Sequence, residues 1–335
     1  MGSLDSQPPP VGPGGETAAP ADPFMRPGPS LVATLFLEWE DLRRHRRVPA
    51  KIYFPSSDPG PLPAIIFSHG TGGSRGGYAY LGMHWASHGY VAVHVQHLGS
   101  DQAVWQNQAD PRESMRRAAQ DPDNMENRPR DVSFAIDALD SLNRGAGQLA
   151  GRLDLGRIGV AGHSFGAYTA LAVAGMLGVG PDGRELSLAD SRVKAAIAMS
   201  PPAPRRPGLA GAIYAPIHIP CLHMTGTRDE SPLGLTAVAD RRVPFDHIRG
   251  ADQYLLIFSG GDHMTFADRR RPGHSGQDWP PFHDLVRASS TAFWDTYLKG
   301  TAAARAWLGG GPLAALLGPR GTLETKLAPD KAESS

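Results

Sequence analysis

The chain has 335 residues, 33 Lys+Arg against 33 Asp+Glu, 41% apolar and 20% charged side chains, and a formal net charge of zero. That composition predicts a globular protein with a substantial core, and the balanced charge lacks the basic surplus of a nucleic-acid binder. No apolar run reaches the length of about 18 residues that a membrane span requires, and a single cysteine, Cys221, excludes an internal disulfide.

Residues 1–30 hold eight prolines and five glycines but neither a basic n-region nor an apolar h-region. They read as a disordered leader, not a signal peptide. On this reading the protein is cytoplasmic, or secreted if an export signal has been lost. An ordered domain is expected over 31–315 and a flexible tail over 316–335.

Leu31–Trp39 and Val48–Phe54 alternate in polarity and predict an antiparallel strand pair. Ala64–Ser68 is a short apolar strand ending in glycines, Tyr78–His88 is helical in pattern, and Tyr90–Val95 is again a strand. The polar stretch Gln96–Arg128 is long for a link and predicts a small cap. Asp131–Asn143 is an amphipathic helix, Arg157–Ala161 a strand and Ser164–Leu177 an apolar helix. Val193–Met199, Ile219–Thr225 and Gln253–Ser259 are further strands, and His283–Leu298 closes the pattern as a helix. Apolar strands alternating with helices predict an α/β fold: a mostly parallel sheet covered on both faces, with the antiparallel pair on its edge. Reactive residues then collect in loops at the carboxyl ends of the strands.

Two segments match G-x-S-x-G: Gly162-His163-Ser164-Phe165-Gly166 and Gly72-Gly73-Ser74-Arg75-Gly76. A nucleophile serine needs a strand running into a tight turn and then a helix. Ser164 has both, whereas Ser74 lies six residues past its strand with no helix starting on it. Ser164 is therefore the candidate nucleophile. Two backbone N–H groups would receive the charge developing on a carbonyl oxygen. Phe165 supplies one, and the other belongs to His69-Gly70-Thr71-Gly72-Gly73, where Thr71 is favoured and Gly70 or Gly72 remain open.

The base should follow the acid in chain order. Of His247, His263, His274 and His283, His263 stands just past the last strand, in a loop able to reach Ser164. The acid should end the strand before it. Asp229 is favoured there over its neighbour Glu230. Asp262 adjoins His263 too closely in sequence to bond its ring, and Asp268 reads as structural.

The stretches Ile66–Gly73, Ala86–Tyr90, Gly162–Gly166 and His263–Asp268 resemble α/β-hydrolases, specifically the serine esterase branch of plasma-type platelet-activating-factor acetylhydrolases and dienelactone-hydrolase-like proteins. The likeness covers roughly residues 60–300. It implies an α/β-hydrolase fold, carboxylic ester hydrolysis, Ser164 as nucleophile, His263 as base, and Phe165 with Thr71 as oxyanion donors. Two departures stand out. The acetylhydrolases carry their acid where this chain has Ala198-Met199-Ser200-Pro201-Pro202, so the acid looks moved one strand later to Asp229, as in bacterial polyester hydrolases. Dienelactone hydrolases use cysteine where Ser164 stands. The expected partner is thus a small or polymeric ester, with an acyltransferase, a peptidase or a non-catalytic binding protein as alternatives. Trp105, in the long insertion, and Trp279, before the last helix, are candidates for lining the substrate pocket. His84 and His88 share a helix face, and His94 and His97 flank a strand end, but no third ligand or glutamate base accompanies them. No metal and no cofactor are expected.

Overall fold

The computed structural model describes residues 22–179, 184–204, 206–268 and 282–328. The chain opens on β1 (Val32–Asp41) and β2 (Arg46–Pro55), continues through β3 (Leu62–Ser68), α1 (Ala79–Ser87) and β4 (Val91–Val95), and enters α2 (Pro111–Gln120) and α3 (Pro122–Arg144). Next come β5 (Leu153–His163), α4 (Phe165–Ala174), the hairpin β6 (Leu177–Val179) and β7 (Glu185–Ser187), β8 (Val193–Met199), α5 (Ala210–Tyr214) and β9 (Cys221–Arg228). The remainder comprises α6 (Val243–His247), β10 (Gln253–Asp262), α7 (His283–Tyr297), α8 (Ala302–Leu308), α9 (Gly311–Leu317) and β11 (Gly321–Lys326).

The described strands make a nine-stranded sheet ordered β1-β2-β4-β3-β5-β8-β9-β10-β11. The six central strands run parallel; β1 and β2 form the antiparallel edge expected from their alternation, and β11 pairs antiparallel with β10 on the other. Side chains along β3 leave the sheet by turns: Ala64 and Ile66 join a core beneath α3 and α4, and Ile65 and Phe67 one beneath α1 and α7. Each such Ile or Phe side chain, fully removed from water, contributes about 1.5–3 kcal/mol before entropy is counted.

Several elements differ from expectation. The insertion 96–128 is largely helical, because two Asp-Pro pairs start helices here: Asp110 caps α2 by accepting from the Glu113 N–H at 3.0 Å, and Asp121 caps α3 by accepting from Asp123 N–H at 2.9 Å. Proline at the first helical position has no N–H to lose, so it favours a start there. α3 therefore begins nine residues before the predicted Asp131 and carries Pro129 in its interior. α4 stops at Ala174, where Gly175 takes φ 124°, and the hairpin β6–β7 follows. The tail expected after 315 holds β11, whose register with β10 pairs Gln253 with Lys326 and Phe258 with Gly321. At the other end, residues inside the expected leader are tied to helices: the Trp307 indole donates to Asp22 at 2.7 Å, and the Gly28 N–H to Ser87 Oγ at 2.8 Å.

Candidate active site

β5 runs directly into α4, and Ser164 is the single residue between them. Its φ of 56° and ψ of −116° are unusual for a residue with a Cβ and cost of order 1–3 kcal/mol. The turn is held by the Ser164 N–H bonding to Met199 O at 2.9 Å and by its carbonyl accepting from Ala167 N–H at 2.9 Å. Gly162 and Gly166 let the strand and helix close up: a Cβ on Gly162 would stand 2.1 Å from Gly166 O. The decoy Ser74 sits in a turn before α1, its Oγ accepting from Gly76 N–H at 3.3 Å.

His263 follows β10 in a short 3-10 turn, and Asp229 follows β9. The His263 Nδ1 lies 2.8 Å from Asp229 Oδ1, and both residues are buried. With Nδ1–H donating to the carboxylate, ring geometry leaves Nε2 on the far side as the base atom. Ser164 and His263 line one cavity together with Thr71 and Phe165. Thr225 Oγ1 donates to Asp229 Oδ2 at 2.8 Å. Burial alone would raise the Asp229 carboxyl, but the His263 hydrogen bond and the charge of Arg241 outweigh it and hold it below its ordinary range. Glu230 is exposed. Asp262 instead caps the turn carrying His263, accepting from Met264 N–H at 2.9 Å.

Two residues here escaped the sequence reading. Arg241 is buried and donates from Nε to Asp229 O at 3.1 Å, with Asp229 Oδ1 3.3 Å away. Its Nη1 donates to the carbonyls of Ser200 and Pro201 at 2.9 and 3.0 Å. The segment 198–202, which has no carboxylate, thus supplies the oxygens that seat a cation against Asp229. The second is His163. Its Nε2–H donates to His263 O at 2.9 Å, so its Nδ1 accepts from the Tyr78 hydroxyl at 2.7 Å. This ties the histidine loop to the residue preceding Ser164. Burial holds the His163 pKa well below its ordinary value, so the ring stays neutral in this role. Its adjacency to Ser164 was the available signal; Arg241 offered none, lying in a charged run that reads as surface.

The loop after β3 distinguishes its amides. The Gly72 N–H is bonded to Ser100 O at 2.8 Å and that of Gly73 to Gly70 O at 3.0 Å. Among the described residues the Thr71 N–H has no such partner, and Phe165, first in α4, has none inside its helix.

The cavity, about 1290 Å³, is mostly apolar. The 96–128 insertion contributes Trp105, Met115 and Met125 to its lining, and Met176, Leu209 and Ile213 line it as well. Trp105 is fixed by its indole N–H donating to Gly72 O at 2.8 Å. Trp279 and His274 lie outside the described residues. The Nε2 atoms of His84 and His88 bond the carbonyls of Phe24 and Arg26 at 3.0 and 2.9 Å. His283 stacks on Tyr80, with ring centroids 3.7 Å apart. Cys221 is buried in β9, and burial pushes its thiol up to about 12.

Asp268, read as structural, caps α1 from a distance: its Oδ2 accepts the Ala79 N–H at 2.7 Å. Burial pushes its carboxyl up to about 6 from an ordinary 3.8, against the hydrogen bonds that favour the anion. An acid whose folded pKa is raised stabilises the fold fully below its unfolded pKa, and that contribution is lost as pH rises through the folded one. The melting temperature of the wild type relative to D268N is therefore expected to fall between about pH 4 and pH 7, by the equivalent of roughly 2 kcal/mol. A constant difference across that window, measured by calorimetry, would contradict the assignment.

Comparison with known proteins agrees with this architecture. The sequence model of the family "Platelet-activating factor acetylhydrolase, isoform II" matches residues 43–126. A platelet-activating factor acetylhydrolase from Cavia porcellus is 29% identical over 150 residues, which cover 37% of this chain and 34% of that protein. The chain has an α/β-hydrolase fold and resembles the platelet-activating factor acetylhydrolases over these segments. It spans about a third of the length of the curated relative it matches. The family match includes the loop carrying Thr71 and most of the insertion but ends before Ser164, so it does not reach the three candidate residues.

Proposed function

We propose that the protein is a serine carboxylester hydrolase in which Ser164, His263 and Asp229 act as a triad. The supporting observation is the 2.8 Å contact of His263 Nδ1 with buried Asp229, on a cavity that Ser164 shares. His263 Nε2 takes the Ser164 hydroxyl proton as Oγ attacks the ester carbonyl. The carbonyl π electrons move onto oxygen, which accepts hydrogen bonds from the N–H groups of Phe165 and Thr71. Collapse breaks the ester C–O bond, and the departing alkoxide takes the proton from His263. Water, deprotonated by the same nitrogen, attacks the acyl-enzyme and releases the acid and free Ser164. Throughout, Asp229 holds the ring in the Nδ1–H tautomer and offsets its positive charge.

The breadth and apolar lining of the cavity favour esters with a bulky apolar acyl or alcohol part. The relationship to acetylhydrolases supports ester cleavage but carries no phospholipid specificity to this chain.

A fluorophosphonate probe tests the reading directly. One equivalent should inactivate p-nitrophenyl ester hydrolysis, with its mass on the peptide containing Ser164. A panel of acyl lengths, a lactone and a polyester film then ranks substrates. Inactivation without a Ser164 adduct would overturn the proposal, as would the absence of ester hydrolysis across the panel.

A further inference from the structure

At the end of β3 lies a second serine–histidine–aspartate row. Ser68 Oγ is 2.8 Å from His97 Nε2, and His97 Nδ1 is 3.0 Å from Asp131 Oδ2, with all three side chains inaccessible to water. This row is closed to substrate, and its serine oxygen already accepts from Arg128 Nη2 at 3.0 Å. Asp131 is itself held by Arg46, which donates to both carboxylate oxygens at 2.8 and 2.9 Å. The row is an anchor for one residue, Arg128.

Arg128 is fully buried, and its guanidinium spans two parts of the fold. On one side Nη2 bonds Ser68 Oγ and His69 O, and Nη1 donates to Ser100 Oγ at 2.8 Å; these atoms carry the loop after β3. Ser100 O in turn receives the Gly72 N–H at 2.8 Å. On the other side Nε donates to Thr169 Oγ1 at 3.0 Å, whose hydroxyl bonds Phe165 O, and the guanidinium carbon lies 4.4 Å from the Phe165 ring centre. A planar cation with fixed donors can hold such a spacing; a lysine, a point charge on a flexible stem, holds it less well.

We propose that Arg128 is a positioning residue for the oxyanion hole, setting the distance between the Thr71 and Phe165 N–H groups by bridging the β3 loop to the first turns of α4. This rests on the ester-hydrolase reading above. Oxyanion donors act in the transition state more than on bound substrate, so their misplacement lowers kcat while KM changes little.

The test compares wild type, R128K and R128M in the full chain, with rates expressed per site titrated by fluorophosphonate to its end point. A trifluoromethyl ketone, which forms an anionic hemiketal with Ser164, reports the hole, and the matching secondary alcohol reports ground-state binding. R128M should lose about 100-fold in kcat, by analogy with removal of one oxyanion donor, with KM within threefold. The ketone should weaken by a similar factor, the alcohol's inhibition should be unchanged, and R128K should recover part of both losses. Equal weakening of ketone and alcohol, or per-site kcat within threefold of wild type, would overturn the proposal. If R128M does not fold, Thr169→Val and Ser100→Ala each remove one guanidinium partner; each should cost several-fold in kcat and ketone affinity together, and no loss in either overturns it. Wild-type hydrolysis that survives S164A would instead defeat the ester-hydrolase reading, whatever the Arg128 variants do.

Discussion

Ser164→Ala is expected to lower kcat/KM for p-nitrophenyl esters by roughly 10⁴- to 10⁶-fold while leaving the far-UV spectrum and melting temperature close to wild type. The fold should tolerate the change because the serine side chain makes none of the elbow's bonds; those run through its N–H and carbonyl. Asp229→Asn should cost about 10⁴-fold, since an amide can donate to Nδ1 and favour the wrong tautomer. It carries a second penalty that the serine variant does not. Arg241 is 2% exposed and would keep its bonds to the Ser200 and Pro201 carbonyls but lose its countercharge. Removing one partner of a buried pair typically costs about 3–5 kcal/mol. D229N should therefore melt well below wild type, whereas S164A should not. Parallel thermal scans and steady-state assays separate the two effects, and equal melting temperatures would show that Arg241 is stabilised by carbonyls alone.

The candidate triad was legible because each residue ends a strongly apolar strand, and parallel α/β sheets gather such ends on one edge. Its place just past the last strand then separated His263 from His247, and proximity in sequence ruled out Asp262. The supporting residues were not legible. Arg128 and Arg241 sit in polar stretches, where a charged side chain normally reads as solvated; only the tertiary fold buries them among carbonyls and hydroxyls. The same bias hid α2 and the start of α3: Asp110-Pro111 and Asp121-Pro122 look like chain breaks but are a cap followed by a first helical residue. β11 was missed for a different reason. Gly-Thr-Leu-Glu-Thr-Lys has little apolar character, and its pairing comes from the open edge of β10. Strand formation on an edge is decided by the neighbour more than by intrinsic preference.

Gly166→Ala is expected to be among the most damaging single-methyl changes in the chain. The start of α4 rests on the end of β3, and a Cβ on Gly166 would lie 1.8 Å from Ser68 O and 2.9 Å from His69 O. Both contacts are with backbone, so no side-chain rotation relieves them. Either α4 must slide outward, which moves Phe165, or the β3 loop must shift, which moves Thr71 and strips Arg128 of its bond to His69 O. Overpacking ordinarily costs about 1–3 kcal/mol, and a forced backbone displacement at a strained turn should put this change at or above about 4 kcal/mol, the range reserved for severe lesions. Gly208→Ala is the matched control: nothing lies within 4 Å of its Cβ position, and its stability should stay within about 0.5 kcal/mol of wild type. Soluble yield and chemical denaturation of the two variants provide the comparison. Near-equal midpoints would mean that the strand–helix junction is loose, and with it the close apposition of Ser164 to the loop that carries Thr71.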